Sequence, residues 1–252
     1  MNATIGSSTM TNRTTTTIVG ILFILGTVSG VIGLALLGPN LNSRDYLIQI
    51  SAIENKVILG TFCVFIMGIA CAGVGLSLYP ILKQYNEGLA IGSAGFRIIE
   101  GVLEIVSAIS LITLLALSQE FVKAGTPDSS YFQTAGALIK AGSDWLNNVA
   151  LLLTWCIAAL MYYSVFYQYK LVPRWLSAWG LIGITLTIIT CLLVMLRVIP
   201  PSGTIQSIAS LPIAVQEMVF AIWLIVRGVN PPATASGSVK GLKLSAITSR
   251  SA

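Results

Sequence analysis

Histidine is absent from the 252 residues, which removes imidazole as a metal or haem ligand and as the usual general base. Charge is scarce too. Only 9% of residues are charged, against about 25% in a soluble domain, so a soluble molecule of this composition would lack the polar surface to cover itself. Cys63, Cys71, Cys156 and Cys191 all fall in apolar segments, with no CxxC and no pair framing a loop. Neither a disulfide framework nor a zinc site is indicated, and no metal is expected. There is no nucleophile elbow or phosphate-binding loop to support hydrolysis or phosphoryl transfer, and no cofactor is indicated.

What is present is hydrophobic length. Apolar residues make up 55% of the chain and the mean hydropathy is +0.87. The runs at 17–37, 57–79, 96–118, 145–167, 176–199 and 208–226 are each about 20 residues, enough to cross a hydrocarbon core of about 30 Å as a helix. The reading is an all-α polytopic membrane protein with six transmembrane helices in one bundle. Residues 1–16, rich in Thr and Ser, read as a disordered leader, and 229–252 as a flexible basic tail. A cleaved signal peptide fits the first run less well, because the run is too long and its leading segment is barely basic.

Punctuation sets the expected ends. Gly38-Pro39-Asn40 should stop the first span, Pro80 the second and Pro200-Pro201 the fifth, while Pro212 should sit in the first turn of the sixth. Gly26 and Gly30 form a GxxxG that permits close helix approach. Residues 44–55 read as an interfacial helix or an extension of the second span. Gly125-Thr-Pro-Asp128 reads as a turn in the longest connection. Tyr162, Tyr163, Phe166, Tyr167 and Tyr169, followed by Trp175 and Trp179, read as an aromatic belt at one membrane interface.

Six spans put both termini on one side. That side carries Arg13, Lys83, Lys170, Arg174, Arg227, Lys240, Lys243 and Arg250, against Arg44, Lys56, Lys123, Lys140 and Arg197 on the other. The positive-inside rule then makes both termini cytoplasmic, in a plasma membrane. The basic excess needs no nucleic acid. Attraction of the tail to anionic lipid headgroups accounts for it.

The third run is the exception to this apolar monotony, because it carries Arg97, Glu100 and Glu104. On a helix, Glu100 lies about 60° and Glu104 about 20° from Arg97 in projection, so the three share a stripe with Ser93 and Ser107. An ionised group at the centre of a lone membrane helix costs roughly 3 kcal/mol or more. The stripe is therefore expected to face inward. In the sixth run, Gln216 and Glu217 lie near the middle, with Glu217 at a depth similar to that of Glu104. With the third and sixth spans as neighbours, the polar interior would continue to Glu54 and Asp144, at the starts of the second and fourth spans. Arg97, Glu100, Glu104, Gln216, Glu217, Glu54 and Asp144 are thus the candidate binding residues.

Three longer motifs complete the reading: residues 86–100, Asn-Glu-Gly-Leu-Ala-Ile-Gly-Ser-Ala-Gly-Phe-Arg-Ile-Ile-Glu; residues 171–183, beginning Leu-Val-Pro-Arg-Trp; and Leu211-Pro-Ile-Ala-Val-Gln-Glu217 with Trp223 to Gly228. Through them the chain, from about Arg13 to Gly228, resembles a bacterial family of multi-pass membrane proteins catalogued as domain-of-unknown-function family 4386. The resemblance implies an integral membrane protein and brings no activity with it. Arg97, Glu100, Glu217, Pro173, Arg174 and Trp179 match the family motifs, where they have no assigned roles. Pro173-Arg174-Trp175 also has a plain structural reading, as a helix entry at headgroup level.

Two classes of function use a buried Arg/Glu cluster directly. In the first, the stripe binds or transports a small ion or a polar or cationic solute, with Glu104 and Glu217 as counter-charges or proton carriers. In the second, the two acids are the acid/base pair of an intramembrane isomerase or cyclase acting on a lipophilic substrate. A third class, a non-catalytic membrane partner protein, uses the cluster only for packing. Against transport, the spans show no internal repeat and no discontinuous-helix pattern.

Overall fold

The structure, a computed structural model, describes residues 2–41, 43, 45–125 and 129–230. Among these there are eight α-helices: α1 (Asn2–Leu41), α2 (Tyr46–Ala52), α3 (Glu54–Leu82), α4 (Glu87–Ala124), α5 (Ser129–Trp145), α6 (Leu151–Gln168), α7 (Arg174–Met195) and α8 (Thr204–Val226), with a π-helical turn, Leu146–Ala150, joining α5 to α6. Six helical stretches are long and apolar enough to cross a membrane: α1 from Arg13, then α3, α4, α5–π–α6, α7 and α8.

These spans close into a ring in chain order. α1 packs on α3, α3 on α4, α4 on α6, α6 on α7 and α7 on α8, and α8 returns to α1. Successive antiparallel helices with short links make neighbours of chain neighbours. The third and sixth spans, α4 and α8, therefore stand across the ring from one another and not side by side as expected. Below, the end of the ring that carries the start of α1 and the end of α8 is called proximal, and the other distal.

Sequence punctuation misjudged several helix ends. α1 continues through Gly38 and Pro39 to Leu41. Pro80 lies inside α3, which continues to Leu82. Proline removes one bond to the preceding turn, and so close to a helix end that loss is tolerated. α8 begins at Thr204, so Pro212 lies beyond its first turn. The gap between the apolar runs 57–79 and 96–118 shrinks to residues 83–86, because Asn86 caps α4, its side chain accepting a 2.9 Å bond from the Leu89 amide. Arg44 and the turn at Thr126–Asp128 lie outside the described residues.

Aromatics fill the proximal half. Tyr162, Tyr163, Phe166 and Phe220 are fully buried. Phe23 meets Phe220 edge-on at 5.7 Å and Tyr162 at 6.4 Å. The expected interfacial belt thus divides. Tyr162, Tyr163 and Phe166 are core, while Tyr167, Tyr169 and Trp175 are exposed, with Trp175 stacked on Trp179 at 6.4 Å and Arg174 over the Tyr167 ring. The cluster starts at Tyr162, two helical turns inside α6, and helix periodicity turns alternate members of such a run inward.

The α3–α4 contact brings backbones together. A Cβ at Gly101 would lie 2.5 Å from the Gly68 carbonyl oxygen, and one at Gly68 would lie 2.8 Å from the Gly101 oxygen. Only glycine allows this approach, as at small-residue interfaces between membrane helices generally. The GxxxG of α1 also faces α3: a Cβ at Gly26 would touch Ala70, and one at Gly30 would meet Met67 Sδ at 2.7 Å. At the distal end, α2 is buried through Leu47 and Ile50 beside Val57, Leu114 and Leu115, and Ser118 Oγ donates to the Leu47 carbonyl.

Candidate functional site

α4 is apolar around most of its circumference, and its one polar stripe is buried from end to end. Ser93, Arg97, Glu100, Glu104 and Ser107 are each 5% exposed or less, so the inward-facing expectation holds for all five. Arg97 is committed by its geometry. Its Nε donates to the Cys71 carbonyl at 3.2 Å, and Nη1 reaches Glu100 Oε1 at 3.2 Å and Oε2 at 2.9 Å. The guanidinium also lies 5.6 Å from the centroid of the Phe23 ring. The Arg97–Glu100 pair stands at the floor of the site, where the aromatic core ends.

Glu104, one turn further along, has no such partner. It is 5% exposed, and among the described residues no ion pair or hydrogen bond holds its carboxyl. Across the ring, Glu217 on α8 accepts one bond from Trp155 Nε1 at 3.1 Å. Both acids, with Arg97 and Glu100, line one cavity of about 350 Å³. Its walls are otherwise mostly apolar: Leu22, Phe23, Val31 and Leu34 from α1, Met67 from α3, and Leu151, Leu152 and Trp155 from α6. Three carboxyls and one guanidinium thus share an oily chamber.

The π turn shapes its distal wall. The two consecutive asparagines of the turn reach different neighbours. Asn147 lines the cavity and accepts from Ser107 Oγ at 2.9 Å, which ties it to the α4 stripe. Asn148 turns toward the α7–α8 connection, its Oδ1 accepting from the amide and hydroxyl of Ser202 at 3.1 and 3.0 Å. Gln206 Nε2 donates to the Asn148 carbonyl at 3.0 Å, which fastens the start of α8 to the turn. Such π turns recur at functional sites. Asn148→Ala should therefore cost about 0.5–1.5 kcal/mol, read as a lower unfolding temperature of the purified protein, with proteolysis opening first near Ser202. An unchanged melting profile would contradict this role.

Three of the expected site residues lie elsewhere. Glu54 is exposed at the start of α3, and Asp144 is half-buried on α5; neither lines the cavity. Both were placed by depth alone, and depth does not fix which way a helix face points. Gln216 is fully buried but turns away from Glu217, accepting from Tyr163 Oη at 2.7 Å and donating to the Leu176 carbonyl at 3.0 Å. It ties α6, α7 and α8 together. Trp155 and Phe23 were not singled out in the sequence, where each is one aromatic among many apolar neighbours. No group of three or more Cys, Asp or Glu converges as a metal-holding set among the described residues.

A family model described as "Domain of unknown function (DUF4386)" matches residues 18–228, and so includes all the cavity-lining residues. No curated protein matches the chain, and no solved structure does.

Proposed function

We propose, for a chain that belongs to the DUF4386 family and takes no activity from that membership, that it binds a cationic solute within the bilayer, as the binding step of transport. The observation behind this reading is the uneven pairing of charge in one chamber. Arg97 is used by Glu100, which leaves Glu104 and Glu217 as carboxyls without a basic partner in the same cavity. Ionisable groups held inside membrane helices without a partner are functional candidates, because their burial costs stability and packing alone does not require them. A monovalent cation between the two acids would offset one of their charges while one proton held between them offsets the other, and a second proton would take the cation's place when it leaves.

The chain is read as a multi-pass protein of the plasma membrane with the proximal end cytoplasmic, a choice supported by the greater number of Lys and Arg on that side. The basic residues of 229–252 would then meet anionic headgroups.

Titrating the protein in nanodiscs with a series of ammonium ions, from tetramethylammonium to hexyltrimethylammonium, tests the proposal. At least one should bind saturably. Glu104→Gln and Glu217→Gln should each weaken it about 30-fold or more, since truncating one partner of a buried charge pair costs at least about 2 kcal/mol. No saturable binding, or affinities unchanged in both variants, would overturn the reading. A second reading, an acid/base enzyme on a lipophilic substrate, draws on the placement of the two acids on opposite walls; it requires turnover of a bound molecule, where the first requires release unchanged.

A further inference from the structure

The cavity is not sealed from the bilayer. Of its α1 lining, Val31 and Leu34 are 61% and 72% exposed, which places them both in the chamber wall and on the outer surface of the ring. The gap follows from how the helices are held. α1 and α8 meet in the proximal half, through Phe23 and Phe220 and through two 2.8 Å bonds from Arg13 to the carbonyls of Ile225 and Val226. In the distal half they are drawn to different neighbours. α1 packs on α3, where a Cβ at Gly60 would lie 2.8 Å from Leu37. α8 packs on α7, where a Cβ at Gly183 would lie 2.8 Å from Ile213, and Gln206 fastens it to the π turn. A helix pair tied at one end and pulled apart at the other leaves a wedge.

The wedge has apolar edges and leads to acids. Leu211 and Val215 of α8 are 61% and 46% exposed on the outer side of the ring, Val31 and Leu34 of α1 form the apolar edge of the cavity, and Glu104 and Glu217 stand inside. A hydrophilic cation gains nothing from such edges. An amphiphilic one can leave its apolar body against them while its charged head reaches the carboxyls.

We infer that the α1–α8 wedge is a lateral entrance from the bilayer, and that the ligand is a lipophilic cation, an ammonium-type head on an apolar body. This rests on the cation reading above and adds the body and the route. In nanodiscs, hexyltrimethylammonium should bind at least about tenfold more tightly than tetramethylammonium after correction for its partitioning into empty discs, since its longer chain buries more apolar surface against the edges. Val31→Trp and Leu34→Trp, both at exposed positions that should tolerate bulk, should each slow its association about tenfold or more. Leu25→Trp, on α1 at a 43% exposed position outside the cavity lining, should leave the rate unchanged.

Equal affinity for the two ions, with Val31→Trp and Leu34→Trp both binding at the wild-type rate, would overturn the lateral entrance and leave the cation reading standing. Equal slowing by Leu25→Trp would also overturn the entrance, because the effect would then not belong to the wedge. Binding of neither ion would remove both.

Discussion

Arg97→Met should destabilise the protein by about 3–5 kcal/mol, because it leaves Glu100 buried beside the Cys71 carbonyl with no charge to answer it. Glu100→Met should cost about as much for the mirror reason, since the guanidinium would lose its only ion-pair partner among the described residues. The double substitution Arg97→Met/Glu100→Met should recover most of the loss. Removing both ions leaves two apolar side chains of similar volume against Phe23, and an apolar replacement of a buried pair is often neutral. Arg97→Lys should rescue little, because one ammonium cannot reach the Cys71 carbonyl and both Glu100 oxygens in the same geometry. Thermal unfolding in detergent, followed by tryptophan fluorescence, measures all four. Additive losses in the double variant would mean that the two side chains do not act as a pair.

Gly101→Ala should fail for a different reason. Its Cβ would lie 2.5 Å from the Gly68 carbonyl oxygen and 3.2 Å from the Ala72 Cβ, so the nearest obstacle is backbone and cannot rotate away. α3 and α4 would have to separate along their shared face, at a cost of about 1–3 kcal/mol for the first methyl and more for Gly101→Leu. Gly68→Ala should behave alike from the other side, its Cβ 2.8 Å from the Gly101 oxygen. Gly95→Ala, on the same helix with no atom within 4 Å of the added Cβ, should be neutral or slightly stabilising, as alanine favours helix over glycine. Size-exclusion profiles and melting temperatures of the four variants provide the comparison. Loss from Gly95→Ala as large as that from Gly101→Ala would show that glycine content, and not the approach of α3 to α4, sets the effect.

The membrane class and the inward stripe were legible because both depend on local chemistry. Six apolar runs and three charges spaced along one helix face permit few arrangements, and Arg97, Glu100 and Glu104 are buried as that spacing required. What depends on partners was not legible. The direction in which α8 faces decides that Glu217 lines the cavity while its neighbour Gln216 bonds Tyr163 and Leu176. Helical period separates the two side chains by about 100° without saying which faces the ring. Glu54 and Asp144 lie outside the cavity lining, which their position at helix starts did not indicate. The prolines misled in one consistent way: Pro39, Pro80 and Pro212 all lie within helices, where tertiary packing outweighs one missing backbone bond. Trp155 carried no signal at all, since an indole N–H becomes informative only once Glu217 is seen beside it.

The distinction between one paired carboxyl and two without a basic partner is open to direct chemical reading. Dicyclohexylcarbodiimide, an apolar reagent that partitions into bilayers and adds to protonated carboxyls, can be applied to the protein in nanodiscs and its adducts located by mass spectrometry. Adducts on Glu104 and Glu217, sparing Glu100 and suppressed by a bound ammonium ion, are the predicted result. Labelling of Glu100 to the same extent, or no adduct on either Glu104 or Glu217, would contradict the division of charge on which the account stands.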